Sequence, residues 1–210
     1  MTAGEIPAKS PRKERKENAD KRRQQLMKAT LRSIEHNGLA KTTLATVANE
    51  AGLSQGVAVF YYKSKNGLLS AALEHLYQQY ENHWREALAA AGPSPRDRLV
   101  ALVEADFAEE ICNRATLSIW FAFWGEQKIS PQYASITQHF DNSRTEAIEL
   151  ICRDLMPDAP TEQARELSEW IDTLTDGYWQ RMYLFPTNCT RETSIEGVRA
   201  FLASVLPSNA

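Results

Sequence analysis

The sequence has no run of 18 or more apolar residues, so no segment of it is expected to span a membrane as a helix. Its three cysteines, Cys112, Cys152 and Cys189, lie far apart with no C-x-x-C pair, which leaves neither a disulfide framework nor a zinc site. Isolated thiols suit a reducing compartment and behave as small buried hydrophobes. None of the four histidines (His36, His75, His83, His139) has a Glu three residues before it, so the Glu-x-x-His pairs of a di-iron bundle are missing. A Gly-rich phosphate loop and a nucleophile elbow are missing too. There is no alternating strand pattern and no internal repeat. The N-terminal stretch MTAGEIPAKSPRKERKENADKRR holds no apolar segment, so it does not read as a secretory signal, and the cytoplasm is the expected compartment. The expectation is a protein that is not an enzyme and needs no cofactor and no metal.

What is present is helical and asymmetric in charge. Net charge is −3 over 210 residues, but residues 1–70 hold 13 Lys and Arg against 6 Asp and Glu, while residues 71–210 hold 11 against 21. A basic head on an acidic body fits a protein with one nucleic-acid face, and fits equally a solvated charge run in a tail. Residues 1–18, rich in charge with Gly4, Pro7, Ser10 and Pro11, are expected to be a disordered basic tail. From residue 19 onward the apolar spacing predicts an all-α fold of about nine helices. The first carries Leu26, Thr30 and Ile34 and stops at Gly38. Thr42 or Thr43 caps a short second helix over Leu44–Ala51, and Ser54 caps a third over Gln55–Tyr61. Ser64 caps a long fourth helix reaching Ala91, with Leu69, Leu73, Leu76, Tyr80 and Trp84 on one stripe. Five more are predicted over Pro95–Glu110, Asn113–Gln127, Pro131–Leu155, Thr161–Leu184 and Glu192–Leu206. Residues 19–66 read as a three-helix DNA-binding domain, and residues 67–206 as a helical ligand-binding and dimerisation domain.

The stretch TTLATVANEAGLSQGVAVFYYKSK (Thr42–Lys65) places two short helices around a tight turn at Gly52, the arrangement of a helix-turn-helix. The apolar face of the first short helix would pack on Val57, leaving the second free for the major groove. Gln55 stands at its N-terminus, where base edges are reached, and a Gln amide can pair with adenine. Gly56 permits close backbone approach. Ser54 would cap, Val59 and Phe60 would meet thymine methyls, and Tyr61, Lys63 and Lys65 are phosphate-contacting types. A helical hairpin with Tyr61 and Tyr62 in a bundle core is the competing reading.

The pattern T-T-x-x-x-V-A-x-x-A-G-L-S-x-G-x-x-x-x-Y-Y-x-S-K-x-x-L-L, from Thr42 through Leu69, resembles the N-terminal signature of the TetR family of transcriptional regulators. The resemblance implies a homodimer binding a palindromic double-stranded operator. It implies base contacts around Gln55, Val57 and Phe60 and phosphate contacts from Thr43, Tyr61 and Lys65. Phe60 stands where many members carry His.

Two aromatic clusters mark the second domain. In SIWFAFW (residues 118–124), Trp120 and Trp124 share a helix face flanked by Phe121. In IDTLTDGYWQRMY (residues 171–183), Asp172, Asp176, Trp179 and Tyr183 fall on one face. Ring faces and carboxylates together could box an organic cation. The same residues could be core, with the aspartates partnering Arg181 or Arg144. The stretches Trp120–Trp124, Asp176–Trp179 and Lys65–Leu69 are similar to those of the BetI subgroup of the family, the choline-responsive repressors of glycine betaine synthesis. That similarity implies choline or a related quaternary ammonium as inducer; the alternative is a TetR-type repressor sensing another hydrophobic or drug-like ligand. The last two helices would make the dimer, through candidates Leu167, Trp170, Ile171, Leu174, Val198, Phe201, Leu202 and Val205, which could equally be core within one chain.

Overall fold

A computed structural model describes residues 11–206 of the chain, which form nine α-helices and no strand. These residues fall into two compact units that divide between Ala72 and Leu73. Among them no helix is long and apolar enough to cross a membrane.

The first unit opens on α1 (Pro11–Lys41), bent at Gly38 with φ 72° and ψ 172°, a region only glycine enters without strain. The helix begins earlier than the boundary near residue 19 that composition suggests. Proline fits a first helical position, and the Arg, Lys and Glu that follow are strong helix formers, so a segment too polar for a core still winds as a solvated helix. The remainder of the expected tail, residues 1–10, lies outside the described residues. Past the bend, α2 (Leu44–Glu50) starts at Thr43, whose hydroxyl accepts from the Thr46 amide at 3.1 Å while the Thr46 hydroxyl accepts from the Thr43 amide at 2.8 Å. Gly52, at φ 67°, turns the chain into α3 (Gln55–Tyr62). Leu26, Ala29, Val47, Ala58 and Leu68 are fully buried between these helices, with Val57, Tyr61 and Tyr62 packed on them. Each large apolar side chain so buried is worth roughly 1.5–3 kcal/mol. Helix α4 (Lys65–Ala90) begins where the Ser64 hydroxyl accepts from the Gly67 amide at 3.0 Å. Gly67 is needed there: a Cβ would sit 2.3 Å from the Tyr62 carbonyl oxygen.

The second unit holds the rest of α4 with α5 (Pro95–Ala105), α6 (Arg114–Glu126), α7 (Pro131–Leu155), α8 (Thr161–Leu184) and α9 (Arg191–Val205). Helix α7 packs on α5 and α8, α8 also on α6, and α9 on α5 and α8. Side-chain caps from Ser94, Asn113, Ser130 and Thr190 open α5, α6, α7 and α9. The expected extent of α5, to Glu110, is too long. It stops at Ala105, so Asp106 and Phe107 turn into the interior at 0% and 1% exposure. All three cysteines are buried and free, and burial pushes the Cys112 and Cys152 thiols up to about 12.

Candidate functional site

In the first unit, the outer face of α3 is the candidate nucleic-acid surface. Gln55 and Gly56 are exposed at its first turn, and Val59 and Phe60 are exposed further along, Phe60 at 67%. Val57, expected both to pack and to touch bases, is half-buried against the core, so packing occupies much of its surface. Ser54 holds the cap position with an extended backbone, but its hydroxyl makes no capping bond, contrary to expectation. The first turn is closed by the main chain, Val57 N–H to the Ser54 carbonyl at 3.0 Å, and the hydroxyl stays free on the surface.

The expected phosphate-contacting groups border this face. Thr43 is engaged in its capping box, which leaves its hydroxyl beside the amide it caps. Lys63 ends α3 at φ 64°, with its ammonium 5.2 Å from the Phe60 ring centre. Tyr61 lies under the Arg23 guanidinium at 5.2 Å, while the Tyr62 hydroxyl donates to the Arg23 carbonyl at 3.4 Å. Sequence reasoning passed over Arg23 as part of a charge run. Lys65 donates to the Ala40 carbonyl at 2.6 Å, so its ammonium also braces the bend after α1.

In the second unit, α4, α6, α7 and α8 enclose a cavity of about 380 Å³, within the usual size for a small-molecule site. Its aromatic wall is Tyr77, Tyr80, Trp120, Trp124 and Trp179. Trp120 lies 6.3 Å from Trp124 and 5.8 Å from Trp179, and Trp124 stacks toward Trp179 at 6.3 Å with 15° between planes. Tyr80 meets the edges of Trp120 and Trp179 at 5.9 and 5.6 Å. Trp120 and Trp179 are buried; Trp124 keeps surface. Two residues expected in this box are not in it. Phe121 and Tyr183 stack on each other at 5.1 Å outside the cavity lining, where Phe121 also meets the Trp124 ring edge-on at 5.1 Å and so backs the box instead of facing into it.

The polar wall is Asp141, Arg144, Asp172 and Asp176, with Thr137, Thr145 and Gln127. Arg144, 6% exposed, pairs through Nη2 with Asp106 and through Nη1 with Asp172. Asp106 also accepts from the Tyr80 hydroxyl at 2.7 Å, and its carbonyl accepts from Trp179 Nε1 at 2.9 Å. Asp172 accepts from the Thr145 hydroxyl at 2.8 Å. Thus Asp172 is Arg144's partner as well as a lining residue, one of the two alternatives open from sequence. Arg144 Nε and Trp120 Nε1 are buried without an acceptor.

Asp141 and Asp176 differ from this pair. Both line the cavity from its open side, are exposed, and have no ion pair among the described residues. The protein around them still weakens their hydration, and that desolvation pushes each carboxyl up from 3.8 to about 6. Tyr77 and Arg144 oppose the shift in Asp141, and Arg144 opposes it in Asp176. Tyr77, Asp106 and Asp141 were missed from sequence. A faint signal existed in the spacing of Tyr77, Tyr80 and Trp84 along α4 and of Asp141 and Arg144 along α7.

On the outer side of α8 and α9 lies an open groove of about 730 Å³, lined in part by Trp170, Leu174, Tyr178 and Phe201. The interface candidates divide here. Leu167, Ile171, Val198 and Leu202 are buried within the chain, whereas Trp170 is 56% exposed and Leu174, Phe201 and Val205 are partly so.

Residues 26–72 match the family described as bacterial regulatory proteins, tetR family, and residues 95–207 match the BetI-type transcriptional repressor C-terminal family. The HTH-type transcriptional regulator BetI of Burkholderia lata is 36% identical over 160 residues, spanning 76% of this chain and 81% of that one. A transcriptional regulator from Pseudomonas aeruginosa superposes with TM-score 0.81 at 24% identity, over 89% of this chain and 90% of that chain. A regulator from Saccharomonospora viridis, solved in complex with choline, superposes with TM-score 0.79 at 20% identity, over 90% and 98%.

Proposed function

The chain belongs to the TetR family of transcriptional regulators and carries a BetI-type C-terminal domain; on that premise we propose that it is a cytoplasmic dimeric repressor that releases its operator when choline or a related quaternary ammonium enters the cavity of the second unit. The observation that carries this reading is the wall itself. A quaternary ammonium has no N–H to donate, so its recognition depends on ring faces and nearby negative charge. Five aromatic rings and two unpaired carboxylates, Asp141 and Asp176, line one cavity of small-molecule size. An uncharged hydrophobic ligand would add no positive charge beside those carboxylates beyond the already paired Arg144. The choline complex of the S. viridis regulator, alike in fold, supports the same ligand class. Control of glycine betaine synthesis is the matching physiological role.

DNA reading falls to α3, with Gln55, Gly56, Val59 and Phe60 toward base edges, Val57 beside them, and Thr43, Ser54, Tyr61, Lys63 and Lys65 toward phosphates. Dimerisation falls to α8 and α9 through the exposed Trp170 and its neighbours Leu174, Phe201 and Val205. The ligand acts by population shift: it binds better to a dimer whose two recognition helices are wrongly spaced for the operator. Helix α4 is the covalent link through which the two units communicate. The test is an operator-anisotropy titration with choline, read alongside tryptophan fluorescence. Choline should quench the cavity tryptophans and raise the operator Kd. Unchanged or tighter operator binding, with choline bound, would remove choline as inducer.

A further inference from the structure

The charge count in the cavity goes beyond the quaternary ammonium and fixes what the other end of the ligand can be. Four carboxylates, Asp106, Asp141, Asp172 and Asp176, surround the single guanidinium of Arg144. The charge of Arg144 is already paired. Asp106, fully buried, holds Nη2 and is itself held by Tyr80 at 2.7 Å. Asp172 holds Nη1 and is steadied by Thr145 at 2.8 Å. Each terminal nitrogen already faces one of these carboxylates, so the positive charge is matched even though each keeps a second N–H. Two further donors, Arg144 Nε and Trp120 Nε1, are buried with no acceptor on residues that line the cavity, and Asp172 Oδ1 is buried with its ion-pair contact to Arg144 but no hydrogen bond. Orphaned buried donors call for an oxygen. They do not call for a negative one, because the charge of Arg144 is matched twice over while Asp141 and Asp176 remain unpaired.

We propose that the cavity discriminates between quaternary ammonium ligands by net charge, accepting a cation with a neutral hydroxyl end and rejecting a zwitterion with a carboxylate end, and that Asp172 is a specificity-determining residue because it withholds Arg144 from a ligand carboxylate. The inference rests on the quaternary-ammonium reading of the site. The trimethylammonium group is common to choline and glycine betaine, so the aromatic wall cannot separate them. The polar wall can: a hydroxyl accepts from the orphaned donors, while a carboxylate enters a cavity already in excess of negative charge.

The experiment is isothermal titration of the full-length protein with choline, glycine betaine and tetramethylammonium, on the wild type and on Asp172→Asn, Asp172→Glu and Asp176→Asn, with circular dichroism as the check on folding. The wild type should bind choline at least about tenfold more tightly than glycine betaine, with tetramethylammonium weaker than choline for want of an acceptor. Asp172→Asn frees one edge of Arg144, so the choline-to-betaine ratio should collapse by roughly tenfold, while Asp172→Glu keeps the charge and should keep the ratio. Asp176→Asn removes one negative charge without touching the Arg144 pairs, and its ratio should fall as well, which keeps the test valid if Asp172→Asn does not fold. Equal wild-type affinity for choline and betaine overturns the proposal, as does an unchanged ratio in the folded variants. Failure of all three ligands to bind the wild type overturns instead the quaternary-ammonium reading beneath it.

Discussion

The Tyr80 hydroxyl donates to the Asp106 carboxylate at 2.7 Å, joining the middle of α4 to the turn that follows α5. Asp106 is fully buried and paired with Arg144, so the bond lies at the buried end of a charged network whose other end, Asp172, lines the cavity. Tyr80→Phe should cost about 1.5–3 kcal/mol, the usual worth of a hydrogen bond to a charged group. Asp106→Ala should cost about 3–5 kcal/mol, because it strips a partner from a buried charge. Urea denaturation checks both, and a smaller loss for Asp106→Ala than for Tyr80→Phe would contradict the network.

Trp124 and Trp179 stack toward each other but have different duties. Trp179 is buried and donates to the Asp106 carbonyl at 2.9 Å, whereas Trp124 keeps surface. Trp179→Ala should lose about 3–5 kcal/mol of stability. Trp124→Ala should fold, bind the operator and lose response to choline. Thermal denaturation together with operator anisotropy separates the two outcomes.

Ligand affinity should depend on pH. Desolvation by the surrounding cavity wall raises Asp141 and Asp176 from 3.8 to about 6 although both side chains reach the surface, so both take up protons as pH falls through 6, and a protonated carboxyl does not attract a cation. Cation binding favours the ionised forms. Choline affinity should therefore be level above pH 7 and fall below 6 by up to roughly tenfold per pH unit for each proton displaced. The ligand-free fold has the opposite sign. Folded carboxyls that hold protons more tightly than unfolded ones gain stability as pH falls from 6 toward 4 and lose it as pH rises through 6. Fluorescence titrations with choline across pH 5–8 check the first statement; a flat profile would contradict it.

On the α3 face the expected losses differ in kind. Gln55→Ala should relax sequence preference by about 1–3 kcal/mol at one base pair and leave non-specific binding unchanged. Lys63→Ala should weaken operator and random DNA alike and lower the slope of log K against log salt by about 0.9. Equal losses on both DNAs for Gln55→Ala would contradict its base-reading role.

Trp170→Glu tests the dimer. A charge placed on an exposed apolar face should dissociate the protein at micromolar concentration without unfolding the monomer, as read by sedimentation velocity. A dimer of unchanged strength would move the interface elsewhere.

Periodicity and caps made the helices legible: α7 and α8 run over the very residues their flanking prolines and apolar stripes indicated. The α3 surface was legible because its signature is contiguous, so a local pattern describes a local object. The cavity was half legible. Trp120, Trp124, Asp176 and Trp179 betray themselves by helical spacing within α6 and α8, whereas Asp106 becomes part of the network only because α5 ends at Ala105. Tyr77 and Asp141 come from two further helices, and no spacing along one helix shows which neighbour it will meet. Phe121 and Tyr183 erred for the same reason, since they found each other instead of the cavity.

The three buried thiols carry a practical corollary. With Cys112 and Cys152 buried and pushed up to about 12, those two thiols offer alkylating reagents almost no thiolate at neutral pH, while Cys189 lines the outer groove. With Cys189 replaced by serine, a single cysteine placed on the exposed rim of α3 would then be the labelled position. Spin or dye labels there would report the distance between the two recognition helices of a dimer, with and without inducer.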